Sequence, residues 1–526
     1  MPAVSRLYVR LTRRGAVLLA VAVAGYVIVE AASYVQTYPD QASRLRLSEF
    51  GDQPAVRMLQ GIPHAVETVG GFVVWDGGWF MQAIVGVWAI VVASRLLRGE
   101  EESGRDEMLG SGTASGVRRS ATAVMVVLLG CALAGVAVFA AIVVPSDDVA
   151  GSALFATAVA GFGAVMVSLT AVSAQLVASR RAVVAVAAAL LGTSFVLRMV
   201  ANSGDSRAWV AWLSPFGWMD RLRAFGDNNG EVLLVYVLAA GALVAVALVL
   251  RARRDSGAAL IASERDVRPR TLLLASPMRF AWRLSWGVLL AWGVGIAVYA
   301  FFVGTLVKAM GDVMADDPAY ATYLELMGIT KDEIYGGMVA VMAVVVALVI
   351  SLYAAFRMGA VRNEEDSERA DHLMTRPLTR SRWLGGHLLL GALGIVLLSL
   401  VDAVVMWLGA VVTDAPISLL DVVEASLNLL PVIMLFGGLA VVMFGVAPRL
   451  TVVVPAAAVG VAYVLSFVGP ALDLPGWVTG ISPFYHVALV PVAGYALTQG
   501  LVMLGLAALF TTAGWWVFTR RDLMGA

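Results

Sequence analysis

The chain has 526 residues, of which 60% are hydrophobic and only 14% are charged. A soluble domain is about 45–50% apolar and carries about 25% charged residues, so a soluble enzyme, a disordered chain and a fibrous protein are excluded. The 37 basic and 37 acidic residues cancel, and a neutral chain argues against a nucleic-acid-binding protein. The class that remains is a polytopic membrane protein.

Apolar windows of about 20 residues, the length that a helix needs to cross a bilayer, recur along the whole chain. The first half contains windows near residues 15–36, 78–97, 121–144, 151–177, 182–200 and 230–250. The second half contains windows near residues 284–306, 338–358, 384–412, 422–447, 451–470 and 498–519. We therefore expect an all-α polytopic membrane protein with about 12 transmembrane helices.

Arginine clusters mark one side of the predicted bundle. Cytoplasmic loops carry an excess of Lys and Arg, and most of the 37 basic residues fall in the two terminal segments and in alternate loops between them. Both termini are therefore predicted to be cytoplasmic. Residues 1–14 are basic and precede a long apolar stretch without a small-residue cleavage site, which indicates a retained first span. The excess of Arg over Lys, with abundant Ala, Val and Gly, resembles the composition of proteins from high-GC bacteria. It predicts that the protein lies in a bacterial plasma membrane.

Two predicted cytoplasmic loops repeat one charge pattern. The first reads R-G-E-E-E-S-G-R at 98–105, and the second reads R-N-E-E-D-S-E-R at 362–369. The aligned charged residues are Arg98, Glu100, Glu101 and Arg105 in the first copy, and Arg362, Glu364, Glu365 and Arg369 in the second.

A Ser-Pro-Phe triplet also recurs, on the opposite side of the predicted bundle. Each triplet precedes the last span of its half, and the triplets are separated by nearly the same interval as the charged loops, about half the chain. Two motifs in the same order at nearly one spacing predict a tandem duplication of a six-span unit, and an even number of spans makes the two copies parallel. We expect halves at 1–252 and 275–526, joined by a cytoplasmic linker at 253–274. The triplets are Ser214, Pro215 and Phe216, then Ser482, Pro483 and Phe484.

The sequence contains no pattern typical of an enzyme. A phosphate-binding loop of the type G-x-x-x-x-G-K-[ST] needs a Gly-Lys pair, and neither Lys308 nor Lys331 follows a glycine. The single cysteine, Cys131, excludes an internal disulfide and a cysteine-based metal site. We predict no catalytic, cofactor-binding or metal site in this chain. The scattered histidines are interpreted as surface or interface side chains: His64, His372, His387 and His486.

The two Glu-Glu loops are the strongest functional signal. Topology requires arginines on the cytoplasmic side, but it does not require paired glutamates at a fixed spacing. Acidic residues at the start of a short helix, with an arginine about one turn later, form a stable charged element. We interpret each loop as a docking element for a soluble partner. The alternative is an ordinary solvated loop, which most charge runs are.

A few acidic residues fall inside the apolar windows. Asp402 is the deepest and is predicted to make a polar contact with substrate or with a partner helix, because an intramembrane charge marks a functional site by default. Glu30 is a second candidate, although a position near the membrane interface explains it equally well. The Ser-Pro-Phe elements suit either a broken helix that acts as an outer gate or a purely structural turn.

These features together resemble the permease subunits of ATP-binding-cassette exporters of the second permease class, which have the type V exporter fold. That family has an amphipathic connecting helix, a Glu-rich coupling helix between spans two and three, and an external re-entrant element between spans five and six. The segments that match are 2–14 and 275–284, 98–119 and 362–383, and 201–229 and 471–497. In the first coupling loop, residues 112–115 replace the Arg-Pro-Leu-Thr of the second, so weaker docking is expected there. The fused length resembles putative exporters of polyketide antibiotics.

The resemblance implies a mechanism and a partner. A homodimer of a separate ATPase, with ATP and Mg²⁺ bound to that partner, would dock under the two coupling loops and make the halves rock. The substrate would be a hydrophobic or amphipathic small molecule, such as an antibiotic-like polyketide or a lipid, for which an apolar lining suffices. A proton-coupled secondary transporter with twelve spans is the main alternative, and it would need several buried acids. A polytopic membrane enzyme would need acids or histidines clustered at one membrane face.

Overall fold

The computed structural model describes residues 2–105, 115–255, 258–261, 276–316, 331–366, 379–471 and 474–521. Within these residues the regular secondary structure is helical and no strand is present, which confirms the all-α prediction. The chain divides into two compact units, 1–267 and 268–526.

Within its described residues, the first unit contains nine α-helices of 7 residues or more, α1 to α9, and a single α-helical turn, Glu100–Glu102. An irregular π-helical turn, Arg95–Gly99, extends the end of α4, and a 3₁₀ helix, Asp205–Leu213, precedes α8. The helices are α1 Pro2–Thr37, α2 Gln41–Gly51, α3 Pro54–Gln60, α4 Val69–Ser94, α5 Gly116–Ser146, α6 Val149–Leu176, α7 Arg180–Asn202, α8 Pro215–Leu222 and α9 Val232–Ala252.

The second unit contributes α10 to α16 in the part of the chain that the structure describes. Between α15 and α16 lie a short helical turn, Gly476–Thr479, and a 3₁₀ helix, Pro483–His486. The helices are α10 Pro277–Asp316, α11 Lys331–Asp366, α12 Arg380–Val412, α13 Leu419–Leu427, α14 Leu430–Val446, α15 Val453–Ala471 and α16 Leu497–Arg520.

Eleven helical segments within the described ranges are long and apolar enough to cross a membrane. They coincide with eleven of the twelve windows expected from the sequence, and the polytopic membrane prediction is confirmed. The remaining window, near 451–470, forms α15, whose apolar segment Val453–Ser466 is shorter than the others.

The expected connecting helices are not separate elements. Residues 2–14 continue into the first span as one helix of 36 residues, α1, and residues 277–284 continue in the same way into α10. Proline breaks a helix when it stands inside it but is tolerated in the first turn. Pro2 and Pro277 stand at the starts of these helices, and no proline separates the amphipathic part from the apolar part.

Small residues bring the spans into direct backbone contact. A Cβ atom on Gly304 of α10 would lie 2.0 Å from the carbonyl oxygen of Met406, and one on Gly409 of α12 would lie 2.1 Å from that of Phe301. Helices in a bilayer gain little from the hydrophobic effect between them and associate instead through such close packing. The glycines therefore fix the crossing of α10 and α12.

Candidate functional site

The first Glu-Glu loop is attached to its own half through Arg98. This arginine lies in the π-helical turn after α4, and only 1% of it is exposed. Its Nε donates to the carbonyl oxygen of Ala178 at 2.7 Å, and its Nη1 donates to the Glu101 carboxylate at 2.7 Å. Ala178 follows α6, so the loop after the second span is bound to the end of the fourth.

Glu101 is also held from the end of the sixth span. Arg254, which follows α9, donates from Nη2 to both Glu101 carboxylate oxygens at 2.7 and 2.9 Å. Arg251 Nη2 lies 3.5 Å from the same carboxylate. A buried carboxylate is costly unless charged partners and hydrogen bonds compensate it. Three arginines compensate Glu101, and they tie the loop into the bundle.

Glu100 makes a second, more exposed ion pair. Arg105 donates to its carboxylate from Nε at 2.8 Å and from Nη2 at 3.0 Å. The Arg105 side chain is 58% exposed, whereas that of Glu100 is 5% exposed. The hydrogen bonds to Glu100 raise the pKa of the Arg105 guanidinium. Of the four aligned charged residues in this loop, Arg105 is the one with an exposed side chain.

The second Glu-Glu loop repeats the attachment to the last span. Arg521, which follows α16, donates to the two Glu365 carboxylate oxygens at 2.6 and 2.7 Å. Its guanidinium also lies over the rings of Phe444 and Phe518, 5.3 and 5.2 Å from their centroids. Glu365 aligns with Glu101 in the repeated charge pattern, and Arg521 follows the last span of its half as Arg254 follows that of the first. We call these two ion pairs, Glu101–Arg254 and Glu365–Arg521, the Glu–Arg clamps.

The first glutamate of the second loop has a different partner. Glu364 Oε2 lies 3.5 Å from His387 Nε2, and His387 Nδ1 lies 2.9 Å from Arg357 Nη2. An arginine can only donate, so Nδ1 accepts and the imidazole proton on Nε2 faces Glu364. His387 is 2% exposed and packs against Trp383 inside its half. The sequence analysis had not singled it out among the four histidines.

The remaining members of the predicted motif behave unequally. Arg362 pairs with Asp366 at 3.1 Å, whereas its counterpart Arg98 pairs with Glu101. Arg369 lies outside the described residues. The glutamates are already engaged within their own halves, and docking of a partner on these loops stays a prediction. The sequence analysis missed the roles of Arg254 and Arg521, although an arginine within two residues after the last span of each half was a usable signal.

The Ser-Pro-Phe triplets build the same hydrogen bond in both halves. Ser214 Oγ donates to the Ser194 carbonyl oxygen at 2.6 Å, and Ser482 Oγ donates to that of Ala462 at 2.7 Å. The two acceptor positions are separated by the same interval as the two serines. Each serine also caps the helical turn that its proline begins, at Pro215 and Pro483, the arrangement that serine and proline favour at a helix start.

The phenylalanines of the triplets pack equivalently. Phe216 lies 5.4 Å from the ring of Phe195, and Phe484 lies 6.5 Å from the ring of Tyr463, which holds the matching position in the second half. Phe216 also contacts Phe162, with the ring centroids 4.6 Å apart. Each triplet is therefore fastened to the preceding span by one hydrogen bond and one aromatic contact.

An ion pair reinforces the predicted outer end of the first half. Arg198 donates to both carboxylate oxygens of Asp220, at 2.8 and 2.9 Å, and to the carbonyl oxygens of Leu59 and Gln60. This arginine fastens α3 to α7 and α8. The corresponding position in the second half is Ser466, whose Oγ donates to Ser482 Oγ at 2.7 Å.

The intramembrane acids lie in two places. Asp402 is 2% exposed, and its Oδ2 accepts a hydrogen bond from Ser426 Oγ of the neighbouring helix α13 at 2.9 Å. Glu30 lies beside Asp76 of α4 and interacts with it, and Asp76 Oδ1 also accepts from Gln60 Nε2 at 2.7 Å. Sequence reasoning missed Asp76. Among the residues that the structure describes, no cluster of three His, Cys, Asp or Glu side chains could hold a metal ion.

Comparison with known proteins gives two matches. The family model described as the C-terminal domain of the multidrug efflux system permease Rv1217c matches residues 5–251 and 274–519, one segment in each half. The chain is also 32% identical over 496 residues to the multidrug efflux system permease protein Rv1217c of Mycobacterium tuberculosis. That alignment covers 94% of this chain and 89% of the relative.

Proposed function

Because the chain belongs to the Rv1217c family of multidrug efflux permeases, we propose that it is the membrane-spanning subunit of an ATP-driven exporter. In this proposal the ATP is hydrolysed by a homodimer of a separate ATPase, which docks on the predicted cytoplasmic side. The exported compounds are hydrophobic or amphipathic molecules, such as antibiotic-like polyketides or lipids. The chain itself supplies the path and not the hydrolysis.

The pair of Glu–Arg clamps carries this proposal. A loop that transmits the conformational change of a soluble partner must be joined rigidly to the spans that move. Glu101 joins its loop to Arg254 at the end of the last span, and Glu365 joins its loop to Arg521 in the same manner. The two halves thus present equivalent mechanical connections, one for each subunit of a dimeric partner.

The surface of the first loop offers contacts to such a partner. Glu102 and Arg105 are both exposed, and the Glu102 carboxylate also accepts a hydrogen bond from the Arg180 backbone N–H at 2.6 Å. A force applied at Glu102 or Arg105 reaches the start of α7 through Arg180 and reaches α9 through the neighbouring Glu101. The buried glutamates act as anchors, and the exposed side chains act as the docking contacts.

The intramembrane composition favours an amphipathic substrate. Within the spans that the structure describes, buried charged side chains bind partners in their own half: Arg198 binds Asp220, and Asp402 accepts a hydrogen bond from Ser426. Binding sites for small ions use rings of charged side chains or carbonyl groups. An apolar path with isolated polar contacts suits compounds that partition into the bilayer.

A second candidate function is proton-coupled secondary transport. One observation favours it: Glu30 and Asp76 lie together in the first half, and carboxyl groups within a membrane serve as proton relays in transporters. A relay would need further acids along the path, and Asp402 lies in the other unit.

Affinity purification from native membranes, followed by transport assays, tests the proposal. We expect a P-loop ATPase to copurify at about two copies per chain, and inverted membrane vesicles to accumulate ethidium when ATP is added. Nigericin, which collapses the proton gradient, should leave this uptake intact. Purification of a lone chain, with uptake driven by a proton gradient and abolished by nigericin, would replace the ATPase-coupled mechanism with the second candidate.

A further inference from the structure

We propose that the second half holds a binding site for one amphipathic molecule, in a cavity bounded by α14, α15, α16 and the 3₁₀ helix Pro483–His486. The cavity has a volume of about 700 Å³, within the range of about 300–1,000 Å³ that small-molecule sites occupy. It lies entirely within residues 435–510. Nothing in the predicted coupling mechanism uses it.

The walls of the cavity match a molecule with one polar end. His486, Thr498 and Gln499 line the end of the cavity next to the Ser-Pro-Phe element, and all three are exposed. His486 Nε2 donates to the Gly480 carbonyl oxygen at 2.8 Å. Along α16 the wall continues to Leu506 and Phe510. Phe510 lies eleven residues beyond Gln499, so at 1.5 Å per residue the apolar part extends about 16 Å from the polar end.

Large aromatic side chains occupy the equivalent place in the first half. Trp218 and Tyr236 pack with ring centroids 4.9 Å apart, and Tyr236 Oη donates to the Pro215 carbonyl oxygen at 2.7 Å. By the spacing of the Ser-Pro-Phe triplets, His486 is the counterpart of Trp218. By the spacing of Arg254 and Arg521, which follow the last spans of the two halves, Met503 is the counterpart of Tyr236. The second copy therefore replaces two interlocked aromatic side chains with smaller ones, and both replacements line the cavity.

The cavity is open to molecules dissolved in the bilayer. Val461, Ile481 and Val502 line it and are 59%, 65% and 58% exposed. Apolar side chains exposed at the depth of a membrane span contact lipid. The ligand is thus an apolar body with a hydrogen-bonding end, which describes both an exported drug-like compound and a membrane lipid.

Photolabelling of the whole protein in phosphatidylcholine nanodiscs tests the site and distinguishes the two sources. One arm uses azidopine, a neutral drug-like photoprobe, and the other uses a phosphatidylcholine with a diazirine on one acyl chain. Labelled peptides are identified by mass spectrometry. We expect labelling within 458–465 or 498–510 that unlabelled dihydropyridine or excess lipid, respectively, competes away.

A cavity-filling variant provides the decisive comparison. Ala458→Phe with Val502→Trp places bulk on two walls, whereas Leu509→Trp adds the same indole to α16 at an exposed residue that does not line the cavity. Filling should reduce the labelling about tenfold by removing the contact surface, and Leu509→Trp should leave it unchanged. Azidopine labelling that filling abolishes identifies a drug-like ligand, and lipid labelling that filling abolishes identifies a lipid.

Equal labelling of the filled and control variants overturns the proposal, and so does labelling of the wild-type protein that no competitor reduces. The competition experiment uses the wild-type protein, so its result can be interpreted even if the cavity-filling variant does not fold. None of these measurements requires the ATPase or transport. A negative result would consequently remove this site and leave the efflux function standing.

Discussion

Arg521 binds Glu365 with two hydrogen bonds of 2.6 and 2.7 Å, across 156 residues of sequence. The contact joins the loop after the second span of the half to the end of its last span. Glu101 and Arg254 make the same connection in the first half, across 153 residues. Retention of one ion pair in both copies of a duplicated unit indicates that the connection serves the unit itself.

Removal of the Arg521 guanidinium should destabilise the second half. Arg521→Met leaves the 2%-exposed side chain of Glu365 without its bidentate partner, and breaking a buried pair in this way costs roughly 3–5 kcal/mol. Thermal unfolding in detergent measures the loss. Arg520→Met is the matched control, because this neighbouring guanidinium is exposed and lies 4.1 Å from the centre of the Trp516 ring. A second change, Glu365→Met, should restore most of the stability, and no recovery would contradict the pairing.

Neutralising Glu101 should lower the thermal stability of the protein more than neutralising Glu365. Glu101→Gln leaves Arg98, Arg251 and Arg254 facing an amide, whereas Glu365→Gln affects the salt bridge to Arg521. We expect the midpoint of thermal unfolding to fall further for Glu101→Gln. Glu102→Gln, on the exposed side of the same loop, is the control and should stay near the wild-type value. The reverse order of the two glutamates would show that the arginine cluster is not what holds the loop.

Both Ser-Pro-Phe serines should contribute similar stability. Ser214→Ala and Ser482→Ala each remove a helix cap and a buried hydrogen bond to the preceding span, and each loss is worth about 1 kcal/mol. Ser203→Ala, which removes an exposed hydroxyl, should have little effect. Unfolding midpoints that fall in only one half would mean that the two elements are not equivalent.

Acidification should lower the stability of the first half at the predicted outer end, through His64. Burial lowers the pKa of His64 below its ordinary 6.5, and the nearby Arg223 guanidinium lowers it further. The unfolded chain therefore takes up the proton first, so stability is complete above pH 6.5 and falls as the pH drops from there through the lowered pKa. Thermal unfolding between about pH 5 and 7.5 should show this decline. His64→Gln should flatten it, and an unchanged slope would assign the effect to other groups.

Asp402→Asn should leave export nearly intact if ATP drives transport. An asparagine oxygen can still accept the hydrogen bond that Ser426 now donates to Asp402 at 2.9 Å, so the packing of α12 on α13 persists. Ethidium uptake into inverted vesicles, measured across about pH 6–8, is the readout. Complete loss, with a shift in the pH dependence, would support proton coupling, and Asp76→Asn would then be the next variant to measure.

Regular features of the chain were predictable from the sequence. The apolar windows located eleven long helices, because hydropathy is a local property and a helix needs a minimum length to cross the bilayer. The Ser-Pro-Phe triplets were visible as repeats, and the serine and proline that open each turn act through neighbouring backbone groups. The window near 451–470 was predicted less well, because the apolar segment of α15, Val453–Ser466, is shorter than the other eleven.

Local patterns in the sequence were enough to predict the helices, the repeated motifs and the places where charge gathers. The roles of those charges depend on tertiary contacts: Glu101 and Glu365 are anchored inside their halves, His387 bridges Arg357 and Glu364, and the second half has a cavity where the first has aromatic rings. The physical reason is distance along the chain. Helix formation and membrane insertion depend on residues a few positions apart, whereas the clamp partners of Glu101 and Glu365 lie 153 and 156 residues away and are chosen by the packing of whole helices.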